Sequence, residues 1–402
     1  MVPLPLANIL HHKVPSALSA LGVAIGVCML VTLSGLARGS LGEVADRWEA
    51  VDADLIVYPS NWSDNITTIS GGGMSDKDAV RIKNLVIGND VAVDYVVPVY
   101  LQRISIAGAE HNVVGVRPEN LRHLLGEGRI TEGRIFDPDN TCANWLKEKF
   151  STPSDKIIDI SEADLSARGG LEMIIDSRLA RASGLKVGDK VYSAARNFTI
   201  VGIVPAGAMV RAFIPLATAE HLFYGGTGRY TLLMVKLRED VSIGAATEAI
   251  RRQKHLKVIA LGEYRAMLEN RFGVLYIYVD TVNTITLFVA FLFILVTLLT
   301  MVIQRRREIA ILRSMGATRR FILKEIVTES LMLTVVGAAA GIAISPAAGA
   351  AIETVRPLLT VQITARWMLI AAAAAVFGGV VAAIYPAWRA MNVDVAETLS
   401  LE

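Results

Sequence analysis

The sequence predicts a polytopic α-helical membrane protein with four transmembrane helices, one plus three, and a large extracytoplasmic α+β domain inserted between helices 1 and 2. Three observations lead there. Apolar runs without charge occupy residues 14–37, 281–303, 330–352 and 367–388, and each reaches the roughly 20 residues that a membrane span requires. A polar stretch of mixed charge, 38–280, separates the first run from the other three. The short segment 304–325 gathers Arg305, Arg306, Arg307, Arg313, Arg319, Arg320 and Lys324 against only Glu308 and Glu325, the bias that keeps a loop in the cytoplasm.

Composition agrees and excludes other classes. The hydrophobic fraction is 53% and the mean hydropathy +0.46, while aromatic residues are only 6%, so the apolar excess is aliphatic. Such a chain has too much apolar surface to stay disordered. Cys28 and Cys142 are the only cysteines, too few for a disulfide-stapled scaffold. Forty basic residues against 38 acidic ones give no field for a nucleic-acid partner.

The elements follow in order. Residues 1–13 form a cytoplasmic N-terminal segment ending in Lys13, and 14–37 form the first span. This run is long for a signal-peptide core and lacks a clear small-x-small cleavage site, so an uncleaved helix is expected. Its "GVAIGV", residues 22–27, is a helix-packing signal. Residues 38–280 form the inserted domain, with two lobes. Short β-branched runs at 54–58, 92–100, 102–116, 172–175, 190–192, 198–204 and 230–237 read as strands. Helical patterns fit 75–85, 119–125 and 176–184, and 241–270 reads as one long helix leading to the second span. The glycine-rich 60–76 reads as a loop, and the sequons at Asn61 and Asn65 read as chance occurrences. After the second span, 281–303, come the cytoplasmic loop 304–325, a third span over 326–352, an extracytoplasmic loop 353–366, a fourth span 367–388 and a cytoplasmic tail 389–402. Both termini are then cytoplasmic.

Catalytic chemistry is not visible. No G-x-x-x-x-G-K-[ST] occurs, and the triple glycine at 71–73 lacks the following lysine, so ATP binding by that route is not expected of these residues. His11, His12, His111, His123, His221 and His255 make no metal-ligand spacing. No catalytic, cofactor or metal site is expected. Asp280 and Glu329 fall near span ends, where structural or capping roles suffice.

The loop 304–325 is the most informative segment. Ile309, Leu312, Met315, Phe321 and Ile322 recur at helical spacing, Arg306, Arg313 and Arg320 share the polar face, and Gly316 marks a bend. An amphipathic basic helix of this kind either lies on anionic lipid or docks a cytoplasmic protein.

Here the chain resembles a known family. Arg305, Glu308, Ile309, Leu312, Gly316 and Ala317, with Glu325 or Glu329 and then Gly337 and Gly341, are similar to the signature of the FtsX/MacB-like permeases of ABC transporters. The C-terminal "YPAWRAMNVDVAETL" resembles that family's ending through Tyr385, Pro386, Ala387, Ala390 and Leu399, with Val395 where proline is common. The one-plus-three topology agrees. The resemblance implies an unfused permease subunit, not itself an enzyme, in a bacterial inner membrane. It implies cytoplasmic ABC ATPase subunits that bind ATP and Mg, a second permease copy or paralogue, membrane lipid around the spans, and in some systems a periplasmic adaptor and an outer-membrane channel. Arg305, Glu308, Ile309, Leu312, Arg313, Gly316 and Ala317 would form the coupling helix that docks on the ATPase. ATP-driven closure would reach the extracytoplasmic domain by mechanotransmission and move lipid, lipoprotein, peptide or drug. A second reading is an FtsX-like regulator of a cell-wall hydrolase, whose extracytoplasmic domain is usually smaller.

Overall fold

The computed structural model describes residues 9, 11, 13–61, 73–126, 129–137, 141–151, 160–225, 228–304 and 306–391. Arg305, His12, Asn65, Val395 and Leu399 lie outside the described residues, as do most of the glycine-rich loop and of the C-terminal tail. The chain divides into two compact units, one of residues 1–41 with 271–402 and one of residues 42–270.

The first unit is helical. Helix α1 runs Lys13–Glu49, outlasting its uncharged run by a dozen residues, of which 42–49 belong to the second unit. Helices α8 (Gly273–Gln304), α9 (Arg306–Ser314), α10 (Arg319–Val355) and α11 (Ala365–Met391) complete it. Four of the five are long and apolar enough to cross a membrane. The shortest of those four, α11, has 27 residues, or about 40 Å at the usual helical rise, enough for a hydrocarbon layer of about 30 Å.

Small residues let these helices approach. A Cβ on Gly341 would sit 2.5 Å from the Ala24 carbonyl oxygen, and one on Gly337 would sit 2.6 Å from that of Ala20. The four-residue spacing therefore places α10 directly on the backbone of α1, the arrangement that small-x-x-x-small pairs permit. Gly22, within the predicted packing signal, meets the Phe293 ring. Hydroxyls and amides hold the same core: Ser330 donates to the Gly379 carbonyl at 2.8 Å and Asn283 to the Ser34 hydroxyl at 2.9 Å. Replacing Gly341 by leucine is expected to cost about 1–3 kcal/mol through overpacking. Thermal melting of the detergent-solubilised protein checks this; an unchanged transition would refute the close approach.

Past the apolar run, the 356–364 connection straps α1. Gln362 N–H donates to the Gly35 carbonyl at 3.0 Å, and Thr360 N–H to Ser40 Oγ at 3.3 Å. The Arg38 guanidinium sits 4.5 Å from the Trp367 ring centroid and 5.0 Å from that of Tyr276, two cation–π contacts on one side chain.

The second unit is α+β. In chain order it holds β1 (Leu55–Pro59), α2 (Asp76–Lys83), β2 (Val93–Ile106), β3 (Ala109–Val116), β4 (Glu132–Gly133), α3 (Thr141–Ser151), β5 (Leu171–Asp176), α4 (Ser177–Ser183), β6 (Lys190–Ser193), β7 (Arg196–Val204), β8 (Ala212–Pro215), α5 (Leu216–Tyr224), β9 (Leu232–Leu237), α6 (Ile243–Arg251), β10 (Leu256–Ala260) and α7 (Tyr264–Arg271). These ten strands form the largest sheet among the described residues, in the order β10-β1-β9-β2-β3-β8-β5-β7-β4, with β6 on β7. Strand β2 changes partners along its length: residues 93–99 pair with β9 and 100–106 with β3. The β8–β3 and β5–β7 pairs are parallel, and the rest of this sheet is antiparallel. Leu55, Val57, Tyr100, Val113, Ile175, Phe198 and Ile214 are among the fully buried side chains of its core.

Two sequence expectations are corrected here. The run 241–270 is not one helix: α6 stops at Arg251, β10 intervenes, and α7 begins at Tyr264. Within β10 burial alternates along Leu256, Lys257, Val258, Ile259 and Ala260, the period of a strand, and its β-branched residues pair with β1. The break expected at residue 101 lies instead at Ala107–Gly108, both with positive φ, the geometry of a tight two-residue hairpin turn.

Candidate functional site

The predicted coupling residues lie on α9 and on the turn that follows it. Helix α9 ends in a paired carbonyl cap. Ala317 N–H donates to the Leu312 carbonyl at 3.0 Å, and Gly316 N–H to that of Arg313 at 3.1 Å. Gly316 has φ +98°, a conformation that glycine adopts without a Cβ penalty. Two residues on, Thr318 caps α10, accepting from Phe321 N–H at 3.3 Å. The "GAT" of the sequence is thus one helix stop and the next helix start. Glu308 in the first turn and Arg313 in the last both complement the α9 dipole.

The two faces of α9 are separated. Ile309 and Ala310 are buried. Ile309 packs in one cluster with Val302 of α8, Ile322 and Ile326 of α10, and Ala387 and Ala390 of α11. The other face is open: Arg306, Arg307, Glu308 and Ile311 are exposed, and Met315 is 71% exposed. Leu312 is half-buried and lines a small cavity with Glu325 and Glu329. The sequence grouped Ile309 with the docking residues; in the fold it anchors the helix from below.

The two family motifs meet here. Ala387 and Ala390 are buried in the cluster that holds Ile309 of α9, and Pro386 is buried inside α11. Tyr385, by contrast, is 47% exposed and stacks on Trp388 with ring centroids 6.5 Å apart. Small side chains at 387 and 390 leave the room that Ile309 and Ile322 fill.

Sequence reasoning missed a second feature, a charged clamp in residues 42–270. Glu43 near the end of α1 pairs with Arg178 at 2.7 Å, Arg211 at 3.3 Å and Arg47 at 3.5 Å. Arg211 also reaches Asp176 at 3.3 Å, whose side chain accepts from Leu179 N–H and so caps α4. Burial pushes the Asp176 carboxyl up, and the Arg211 guanidinium opposes that. Nearby, Arg265 of α7 pairs with Asp46 and Glu49, and Trp48 packs on Tyr264 with centroids 5.1 Å apart. The stretch by which the chain enters this unit is therefore tied to the stretch by which it leaves. Helical spacing of Glu43 and Arg47 after the apolar run was the one available signal; Arg178 and Arg211 are far away in sequence.

Two protein families match the chain: the MacB-like periplasmic core domain over residues 16–253, and the FtsX-like permease C-terminal over 281–395. A macrolide export ATP-binding/permease protein MacB of Mannheimia succiniciproducens is 20% identical across 98% of this chain and 60% of its own length. A pyoverdine export ATP-binding/permease protein PvdT of Pseudomonas entomophila is 24% identical across 97% of this chain and 58% of its own. The chain thus spans about 60% of the length of these curated relatives. Among solved structures, the periplasmic region of MacB from Actinobacillus actinomycetemcomitans shares 13% identity, covering 55% of this chain and 95% of that one, with a TM-score of 0.35.

Proposed function

We infer from its family that this chain, which belongs to the FtsX-like permeases with a MacB-like periplasmic core domain, is the permease subunit of an ABC-type exporter driven by a separate ATPase. The observation that carries the reading is the coupling segment. A short helix is fixed from beneath by Ile309, bounded by a glycine stop and a threonine cap, and left open on a basic face studded with Ile311 and Met315. A rigid amphipathic element of this design suits docking into a groove of a cytoplasmic partner. In this reading 304–325 and both termini face the cytoplasm of a bacterial inner membrane, and 42–270 faces the other side. The ATPase subunits bind ATP and Mg, and a second permease copy or paralogue completes the core. A periplasmic adaptor and an outer-membrane channel would extend it for export.

The clamp around Glu43 supports mechanotransmission. A displacement of α1 or of α7 would act on the folded 42–270 unit through ion pairs and a packed Trp48–Tyr264 contact rather than through a slack linker. The relatives' printed names concern a macrolide and pyoverdine; for this chain the cargo is proposed as a lipid, lipoprotein, peptide or drug.

The test is co-purification. Ile311→Glu with Met315→Glu is expected to reduce recovery of the ATPase with the permease at least about tenfold. Both side chains are exposed, so membrane insertion and melting should be unchanged. Undiminished recovery would overturn the docking assignment.

A further inference from the structure

A cavity in the 42–270 unit is lined by charged groups of both signs. Its charged lining is Asp76 at the start of α2, Arg117 after β3, Asp137, Lys147 on α3 and Glu220 on α5, and Gly228 and Tyr230 lie between Asp76 and Glu220. Both carboxylates face one point: a Cβ on Gly228 would lie 3.8 Å from Asp76 Oδ2 and 4.0 Å from Glu220 Oε1. Gly228 leaves that point open, at φ +63°, while its N–H donates to Glu220 Oε1 at 2.6 Å. The buried Tyr230 hydroxyl donates to Asp76 Oδ1. Among the described residues, neither carboxylate has an ion-pair partner, and neither does the exposed Arg117.

Glu220 registers charges of both signs. Burial pushes its carboxyl up, the Gly228 bond opposes, and the Asp76 carboxylate pushes it up further, while Lys147 and Arg117 pull it down. A cation placed between the two carboxylates would relieve that repulsion, and an anion on the same molecule would meet Arg117 and Lys147. The cavity holds about 250 Å³, just below the usual range of small-molecule sites, which suits only a compact ligand.

We propose that this cavity binds a small zwitterion of the amino-acid or short-peptide class, its ammonium between Asp76 and Glu220 and its carboxylate at Arg117 and Lys147. The site is a property of the 42–270 unit and does not rest on the permease reading.

The experiment is calorimetric titration of the full chain in detergent with L-alanyl-L-alanine and L-alanine, using propylamine and propionate as single-charge controls. Saturable binding is expected for at least one zwitterion, at least tenfold tighter than for either control. Arg117→Met and Glu220→Gln should each weaken it at least tenfold; the glutamine oxygen still accepts from Gly228. Arg117 is exposed, so R117M keeps the test decisive if E220Q melts early. The proposal is overturned if neither zwitterion binds saturably, if propylamine binds as tightly, or if R117M binds like the parent.

Discussion

Replacing Glu43 by glutamine is expected to destabilise the 42–270 unit by about 3 kcal/mol, because it strands buried guanidinium groups. Glu43 is the common partner of Arg47, Arg178 and Arg211. The side chains of Glu43, Arg47 and Arg211 are each about one-tenth exposed, so solvent screens them little. Without the carboxylate, Asp176 remains paired with Arg211, and it already caps α4. Denaturant unfolding monitored by tryptophan fluorescence would read the loss, with Trp48 beside the clamp as a reporter. The double variant Glu43→Gln with Arg211→Met should lose less than the two single variants summed, since the pair is coupled. Additive losses, or no loss in E43Q, would show that the clamp carries no load.

Ile309→Asp should have the larger effect on function. Ile309 is 7% exposed and lies among Val302, Ile322, Ile326, Ala387 and Ala390. A carboxylate there would sit among apolar side chains, and burying it costs several kcal/mol unless the helix lifts away. Lifting α9 would unseat the whole docking face. ATP-dependent transport in reconstituted vesicles is expected to fall to background, while Ile309→Val keeps most of it because it only shortens the side chain. Equal transport in I309D and the parent would mean that the position of α9 does not matter.

The membrane part was legible because its determinants are local. Runs without charge mark the spans, and the stop-and-cap "GAT" needs only neighbouring residues, Leu312 to Phe321, to form. The small residues Gly337 and Gly341 also announce themselves by spacing. What was missed is non-local. The run 241–270 looked helical because α6 and α7 flank β10, whose strand character depends on pairing with β1 two hundred residues earlier. The anchoring role of Ile309 needed Ala387 and Ala390 beneath it. The clamp needed Arg178 and Arg211 brought to Glu43 by β5, α4 and β8. The zwitterion cavity joins residues from 76 to 230, which no spacing rule connects.

The central claim is that the open face of α9 docks a cytoplasmic ATPase. Site-specific photocross-linking in native membranes tests it most directly. A photoreactive residue at position 311 or 315 should capture a protein carrying an ATP-binding P-loop. The same group at the exposed Tyr278, about 30 residues back along α8 and before its apolar run, should not. Absence of an ATPase adduct at both 311 and 315, or an equal adduct at 278, would contradict the account.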